Sequence, residues 1–309
     1  MRTVLVTTAN GMFGRALVEA LAGQEGVQVR AMVRDRSKFT LKAANIDVVE
    51  GDLDRPQSLE APMQAVSHVF LSSPIGDQIG RRYRNVVDAA LKSGKPHIAA
   101  IFGAVNHQGD SLDAQYAEAI GYLKRSTLPW TLVSPTSVIE TALGGCAATV
   151  GMGCVLGISG DGKNALVANR DVARVAREVI LGSGHEGQDY KITGPQRLDM
   201  ADICSAISGQ IGRRITYYDL PEAEFTAMML KNGEIKDPAV LEEMVICHLR
   251  AWKEGRADVI TDTFSKMTAE SGTTLEAWLV DNHAKFDAKP SLGDRAIGFM
   301  LRRKYGKYA

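Results

Sequence analysis

The strongest chemical signal in the chain is the segment Thr7-Thr8-Ala9-Asn10-Gly11-Met12-Phe13-Gly14. It follows a Val-rich apolar run and opens a stretch with helical spacing. Strand, glycine turn and helix N-terminus in that order make an anion cradle. Glycine lets the backbone approach the ligand, and the first amides of the helix point outward unpaired. Gly11 fits the close approach and Gly14 the packing of helix on strand; Thr7, Ala9, Asn10, Met12 and Phe13 complete the turn. The anion suited to such a turn is a diphosphate. The strand-turn-helix context favours this over a turn whose glycines serve geometry alone.

A dinucleotide held there would place its adenosine ribose at the tip of the next strand. That strand ends Val33-Arg34-Asp35-Arg36-Ser37-Lys38. A guanidinium makes paired hydrogen bonds to a 2′-phosphate, so Arg34, with Arg36 or Lys38, points to NADP(H) over NAD(H). Two competing readings stand: Asp35 facing a ribose hydroxyl, and Arg36 and Lys38 as an exposed charged loop. The third apolar run ends Glu50-Gly51-Asp52-Leu53-Asp54. Asp52 is placed to accept from an adenine amino group, beside Leu53, or to serve as a loop aspartate. Ser72, Ser73 and Pro74 end the fourth run and Gly103 follows the fifth. All sit where open α/β sheets bind ligands, beyond the carboxyl ends of strands.

The elements that must position these residues follow from apolar texture. Short Val- and Ile-rich runs occur at Thr3–Thr7, Val27–Val33, Asp47–Glu50, His68–Leu71, His97–Phe102 and Trp130–Ser134. Helical spacing lies between most of them. Continuous apolar runs joined by helices predict a Rossmann-like, doubly wound parallel α/β sheet. After Pro135 the pattern loosens. Thr141–Gly162 reads as loop with a short hairpin, Asp171–Leu181 and Met200–Ile211 as helices, Asp189–Thr193 and Ile215–Tyr218 as strands, and Glu222–Phe286 as mainly helical. The expected division is a dinucleotide-binding domain over 1–135, a smaller substrate-side region over 136–288 interleaved with the sheet, and a basic tail over 289–309, solvated or partly ordered.

Composition narrows the class. With 36 basic and 36 acidic residues the net charge is zero, so no global field favours nucleic acid. Cys146, Cys154, Cys204 and Cys247 have no metal-like spacing; they read as scattered thiols, and no metal is expected. No apolar run is long enough for a membrane span and no signal peptide is legible, so the expectation is a cytoplasmic protein. No Gly-x-Ser-x-Gly elbow marks a hydrolase. The expected partner is a small-molecule substrate; a homo-oligomer is left open. His97 and His185 read as core and turn residues, and His107 as a minor candidate for a substrate-side donor.

Together these segments resemble the NmrA-like group of atypical short-chain dehydrogenases/reductases. The resemblance rests on TTANGMFG at 7–14, VRAMVRDRSK at 29–38, EGDLDRPQSL at 50–59 and YLKRSTLPWTLVSPTSVIET at 122–141. It continues through GDGKNALVANRDVARVAREVI at 160–180 and GHEGQDYKITGP at 184–195. It implies an NADPH-dependent reductase of a small quinone, aromatic or conjugated carbonyl compound, or a dinucleotide-sensing regulator without turnover. It also implies that Pro135, Thr136 and Val138 border the nicotinamide. Two departures stand out. Thr8 replaces the first glycine of the group's turn, where a positive φ would be costly for a β-branched residue. The Tyr-x-x-x-Lys pair is absent: four residues after Tyr116 and Tyr122 stand Ile120 and Ser126. Some relatives carry a lysine and others a histidine thirteen residues before a proline equivalent to Pro129, and here that position is Tyr116. A phenol there either donates to a developing oxyanion or packs as an aromatic.

Overall fold

The computed structural model describes residues 1–76, 78–287 and 290–308. Among them the strands are β1 (Arg2–Val6), β2 (Val27–Val33), β3 (Ile46–Glu50), β4 (His68–Leu71), β5 (His97–Ile101), β6 (Trp130–Pro135), β7 (Cys154–Gly157), β8 (Gln188–Ile192) and β9 (Thr216–Asp219). The longer helices are α1 (Met12–Leu21), α2 (Ile79–Lys92), α3 (Ser111–Arg125), α4 (Ile139–Val150) and α5 (Asn169–Leu181). They continue with α6 (Met200–Ile211), α7 (Glu222–Asn232), α8 (Cys247–Lys253), α9 (Leu275–Asn282) and α10 (Leu292–Tyr305).

Seven strands form one parallel sheet in the order β3-β2-β1-β4-β5-β6-β8. Alternation along each strand feeds both faces. Val4, Val6, Val29 and Ala31 pack with Leu17 and Leu21 of α1 and Val172, Val175 and Val179 of α5. Leu5, Val69, Leu71 and Ile98 pack with Val86 and Val87 of α2 and Leu123 of α3. Each such side chain, fully buried, contributes about 1.5–3 kcal/mol before the entropy of ordering is subtracted. The doubly wound, Rossmann-like sheet is therefore as the sequence predicts. The strand order reverses beside β1, the switch point at which such sheets bind ligands.

The region after Pro135 departs from expectation at two places. Thr141–Gly162 is not a loop with a hairpin. It holds most of α4, then β7, which pairs in parallel with the distant β9. Leu143, Cys146 and Val150 form a buried stripe at helical spacing, so packing stabilises a Gly- and Ala-rich helix that propensity does not announce. The chain end is also more ordered than a solvated tail. α10 opens with a capping box of Ser291 and Asp294, and Tyr305 is buried, its hydroxyl donating to Glu224 at 3.0 Å. Gly298 seats this helix on the backbone of Met152, where an added Cβ would come within 2.1 Å of a carbonyl oxygen. The expected boundary at 288 and 289 lies outside the described residues, as does Ala309.

Candidate functional site

The turn after β1 is built as an anion cradle. Gly11 is the residue before α1 and no side chain caps the helix there. Arg15 N–H donates to the Gly11 carbonyl, whereas the amides of Met12, Phe13 and Gly14 have no acceptor among the described residues. They stand at the positive end of the helix dipole, and no acidic side chain stands in the first turn. Gly14 must lack a side chain, since a Cβ would sit 2.4 Å from the Thr8 carbonyl oxygen and 2.9 Å from that of Thr7. Gly11 is tight as well, its Cβ position 3.0 Å from the same Thr8 oxygen.

Thr8 stands where the resemblance implies a glycine. Its φ is 46°, in the left-handed region. That costs an ordinary residue about 1–2 kcal/mol. The cost is offset across the sheet: Thr8 Oγ1 lies 2.6 Å from Ser72 Oγ, at the end of β4. The adjoining Thr7 hydroxyl donates to the Ser72 carbonyl at 2.8 Å and accepts from the Ser72 amide at 2.9 Å. Thr7 and Ser72 are buried and form a clasp between strand ends. Of the turn residues, Asn10, Gly11 and Met12 are exposed, Phe13 is half-buried, and Ala9 is sealed beneath them.

The residues expected around an adenosine moiety separate by environment. Arg34 is exposed and makes no hydrogen bond or ion pair among the described residues. Asp35 is engaged within its own turn, accepting from the Ser37 amide at 3.0 Å and the Ser37 hydroxyl at 2.6 Å, with Lys38 Nζ at 3.7 Å. These hydroxyl and amide donors hold its carboxyl below the usual carboxylate range. Arg36 donates to the Val48 carbonyl. Asp52 Oδ1 accepts from the Asp54 amide at 3.0 Å and its second oxygen lies 3.7 Å from Arg55. Leu53 is buried in the core, its carbonyl held by Asn85 at 2.8 Å. Arg81 and Arg82 converge on Asp54, at 2.8 and 2.9 Å.

On the other side of β1, Ser73 is half-buried and Pro74 and Gly103 are exposed. Tyr116 of α3 leans over Gly103; a Cβ added to that glycine would lie 3.5 Å from its ring and 3.8 Å from its hydroxyl. The ring packs edge-on against Phe102 at 5.5 Å and His107 at 6.2 Å. Its hydroxyl has no hydrogen-bond partner among the described residues. Burial, with smaller contributions from Cys247 and Asp110, pushes the phenol up to about 12, so it stands as a neutral donor. Pro135, Thr136 and Val138 are buried at the end of β6. Thr136 Oγ1 donates to the Ala165 carbonyl at 2.7 Å and Val138 pairs with Val167, so these residues tie the sheet edge to the strap that follows it.

Reasoning from local spacing missed Asn169 and Glu140. Asn169 Nδ2 donates to the Met12 carbonyl at 2.8 Å, pinning the start of α1 from 157 residues away. Its Oδ1 is buried without a partner. Glu140 accepts from the Asn169 amide at 3.1 Å and from Trp278 Nε1 at 3.0 Å. Both positions lie inside the segments that carry the resemblance, the one signal pointing to them. His97 is a core residue bonded to Thr131 at 2.8 Å, and His185 bonds Tyr190 at 2.8 Å beside its turn.

Residues 8–181 match a family described as NAD(P)H-binding. Quinone oxidoreductase 2 of Escherichia coli K12 is 29% identical over 280 residues, covering 88% of this chain and 96% of that protein. The NAD(P)H azoreductase of Xenophilus azovorans is 27% identical over 289 residues, covering 92% and 99%. The crystal structure of the NADPH-dependent quinone oxidoreductase of Escherichia coli in complex with NADPH superposes with a TM-score of 0.81 at 27% identity, over 91% of this chain and 99% of that one. No helix among the described residues is long and apolar enough to cross a membrane.

Proposed function

Because the chain belongs to the NAD(P)H-binding family, within the NmrA-like atypical short-chain dehydrogenases/reductases, we propose that it is an NADPH-dependent reductase of small quinones or related conjugated or aromatic carbonyl compounds. The observation that carries the reading is the uncapped start of α1, with three amides and the Arg34 guanidinium at the tip of the neighbouring strand all without a partner among the described residues. The residues present suit the cofactor. The amides of Met12, Phe13 and Gly14 would hold a diphosphate, and the Arg34 guanidinium a 2′-phosphate. When bound, the nicotinamide supplies the hydride.

The chain's own contribution is orientation and a proton-bearing donor. Tyr116 presents an unpartnered, protonated hydroxyl beside Gly103, where it would donate to the oxygen of a carbonyl as negative charge builds there. A quinone becomes aromatic on reduction and needs modest electrophilic help, which accords with the absent Tyr-x-x-x-Lys pair. The test is NADPH and NADH oxidation across a panel of quinones, with Tyr116→Phe beside the unaltered chain. Turnover should fall about tenfold, the value of one hydrogen bond strengthened in the transition state. NADPH affinity should not change; unaltered turnover would remove Tyr116 from the mechanism. A second reading, a dinucleotide sensor, draws on the missing Tyr-Lys pair and the strained Thr8. NADPH binding with no oxidation across the panel would select it.

A further inference from the structure

Two segments that the proposed reduction leaves unused meet behind Tyr116. His107 follows β5, and Cys247 and His248 open α8. One donor atom from each of these three residues lies within 4.8 Å of the other two. His107 and Cys247 are buried and His248 is half-buried. We infer that His107, Cys247 and His248 form a binding site for a borderline-soft divalent cation of the zinc type.

Ligand chemistry and spacing agree. Two imidazole nitrogens and one thiolate are a donor set selective for zinc-like ions, with a fourth position left to water or another ligand. Tetrahedral bonds of about 2.0–2.3 Å put donor atoms roughly 3.3–3.8 Å apart, so side-chain movements of about 1 Å close the set. Binding would exchange the Cys247 thiol proton, released to solvent, for the metal-sulfur bond.

The surroundings orient the donors. His107 Nδ1 lies 2.8 Å from Asp110 Oδ2, which leaves Nε2 to carry a free lone pair. A carboxylate behind a histidine is the arrangement that fixes metal-binding imidazoles. Asp110 is itself fixed, accepting from the amides of Leu112 and Asp113 at 3.0 and 3.3 Å, with Arg256 at 3.8 Å. The His248 ring makes no hydrogen bond among the described residues and packs edge-on against His107 at 4.7 Å. The helix is re-aimed at this point: Glu242–Ile246 forms a π-helical turn directly before Cys247, and such wide turns recur at functional positions.

The test is a cobalt titration of the full chain after dialysis against a chelator. Tetrahedral Co²⁺ on a thiolate gives a sulfur-to-metal charge-transfer absorption that needs no dinucleotide or substrate. The expected result is saturation at one ion per chain, displacement by Zn²⁺, loss of the charge-transfer band in Cys247→Ser, and an unchanged band in Cys146→Ser. No band in the unaltered chain, or a band that persists in Cys247→Ser, overturns the site. Should Cys247→Ser fail to fold, His248→Gln decides: at least tenfold weaker Co²⁺ binding supports the site and unchanged affinity overturns it. The readout is independent of NADPH oxidation, so the site and the proposed reductase activity stand or fall separately.

Discussion

The two edges of the sheet differ in how completely their polar groups are answered. At the amino edge nearly everything is closed. Asn45 donates to the carbonyls of Leu21, Gln24 and Val27 and accepts from the Gly23 amide. Arg2 donates to the carbonyls of Ile180 and Gly182 at the end of α5, where the helix dipole favours a cation. His97, Thr131 and the His185 carbonyl form a chain of bonds at 2.8 and 2.6 Å. At the carboxyl edge, three helix amides, the Arg34 guanidinium and the Tyr116 hydroxyl have no partner among the described residues. The chain also accepts a strained threonine there. One edge spends its polar groups on cohesion and the other keeps them available to a ligand.

The contrast is broken most severely by Gly14→Ala. The added Cβ would lie 2.4 Å from backbone that cannot move without opening the β1 turn. A loss of about 3 kcal/mol or more is expected, with NADPH binding abolished. Thermal melting and titration check it, and a variant that melts normally and binds normally would show the cradle to be tolerant. Arg34→Ala comes next. NADPH affinity should fall about tenfold to a hundredfold, the worth of a charge-assisted bond, with NADH affinity and melting temperature unmoved because Arg34 has no partner to lose among the described residues. Equal losses for both nucleotides would remove the 2′-phosphate assignment.

Thr8→Gly probes the strain itself. Relief of about 1–2 kcal/mol of left-handed strain is set against a lost hydrogen bond and a more flexible unfolded chain, each about 1 kcal/mol. Stability should therefore change by less than about 1 kcal/mol, while NADPH binds more tightly to the less crowded turn. Weaker binding in calorimetry would make Thr8 part of the cradle. The smallest effect belongs to the amino edge. Burial, then the neighbouring charges of His97 and Arg2, lower His68 from the usual 6.5 to about 4. The unfolded chain therefore takes up this proton first. Its contribution is present above pH 6.5 and is lost as pH falls from 6.5 towards 4. His68→Gln should flatten the stability profile in that window by less than about 1 kcal/mol, since the ring is partly solvated, with cofactor selectivity unchanged. An unaltered acid profile would mean that His68 titrates normally.

Much of this edge was legible in advance because its signals are local. Thr7 to Gly14 read as strand, turn and helix from eight consecutive residues, and Arg34 stood out one residue beyond an apolar run. Thr8 was flagged as the costly position, and its φ of 46° bears that out. Other assignments depended on contacts that spacing does not carry. Thr7, Ser72 and Thr136 were read as cofactor-lining, yet the Thr7 and Ser72 hydroxyls are engaged between the ends of β1 and β4 and that of Thr136 holds the Ala165 carbonyl. Leu53 belongs to the core. Thr141–Gly162 lacked a helical signature because small residues have little periodic contrast, and only the packing of Leu143, Cys146 and Val150 reveals α4.

The amino-acid order alone determined the alternation of strand and helix, the parallel sheet that follows from it, and the glycine turn at its switch point. These rest on periodicity, backbone sterics and helix-end electrostatics, all acting over a few residues. The three-dimensional fold decided which polar groups are used up and which stay free. It brought Asn169 to the start of α1, engaged Asp35 with Ser37, and set His107 against Cys247 and His248. Those outcomes depend on closing loops of more than a hundred residues or on choosing one rotamer among several. Both are settled by the packed whole, because only there does each donor find, or fail to find, its acceptor.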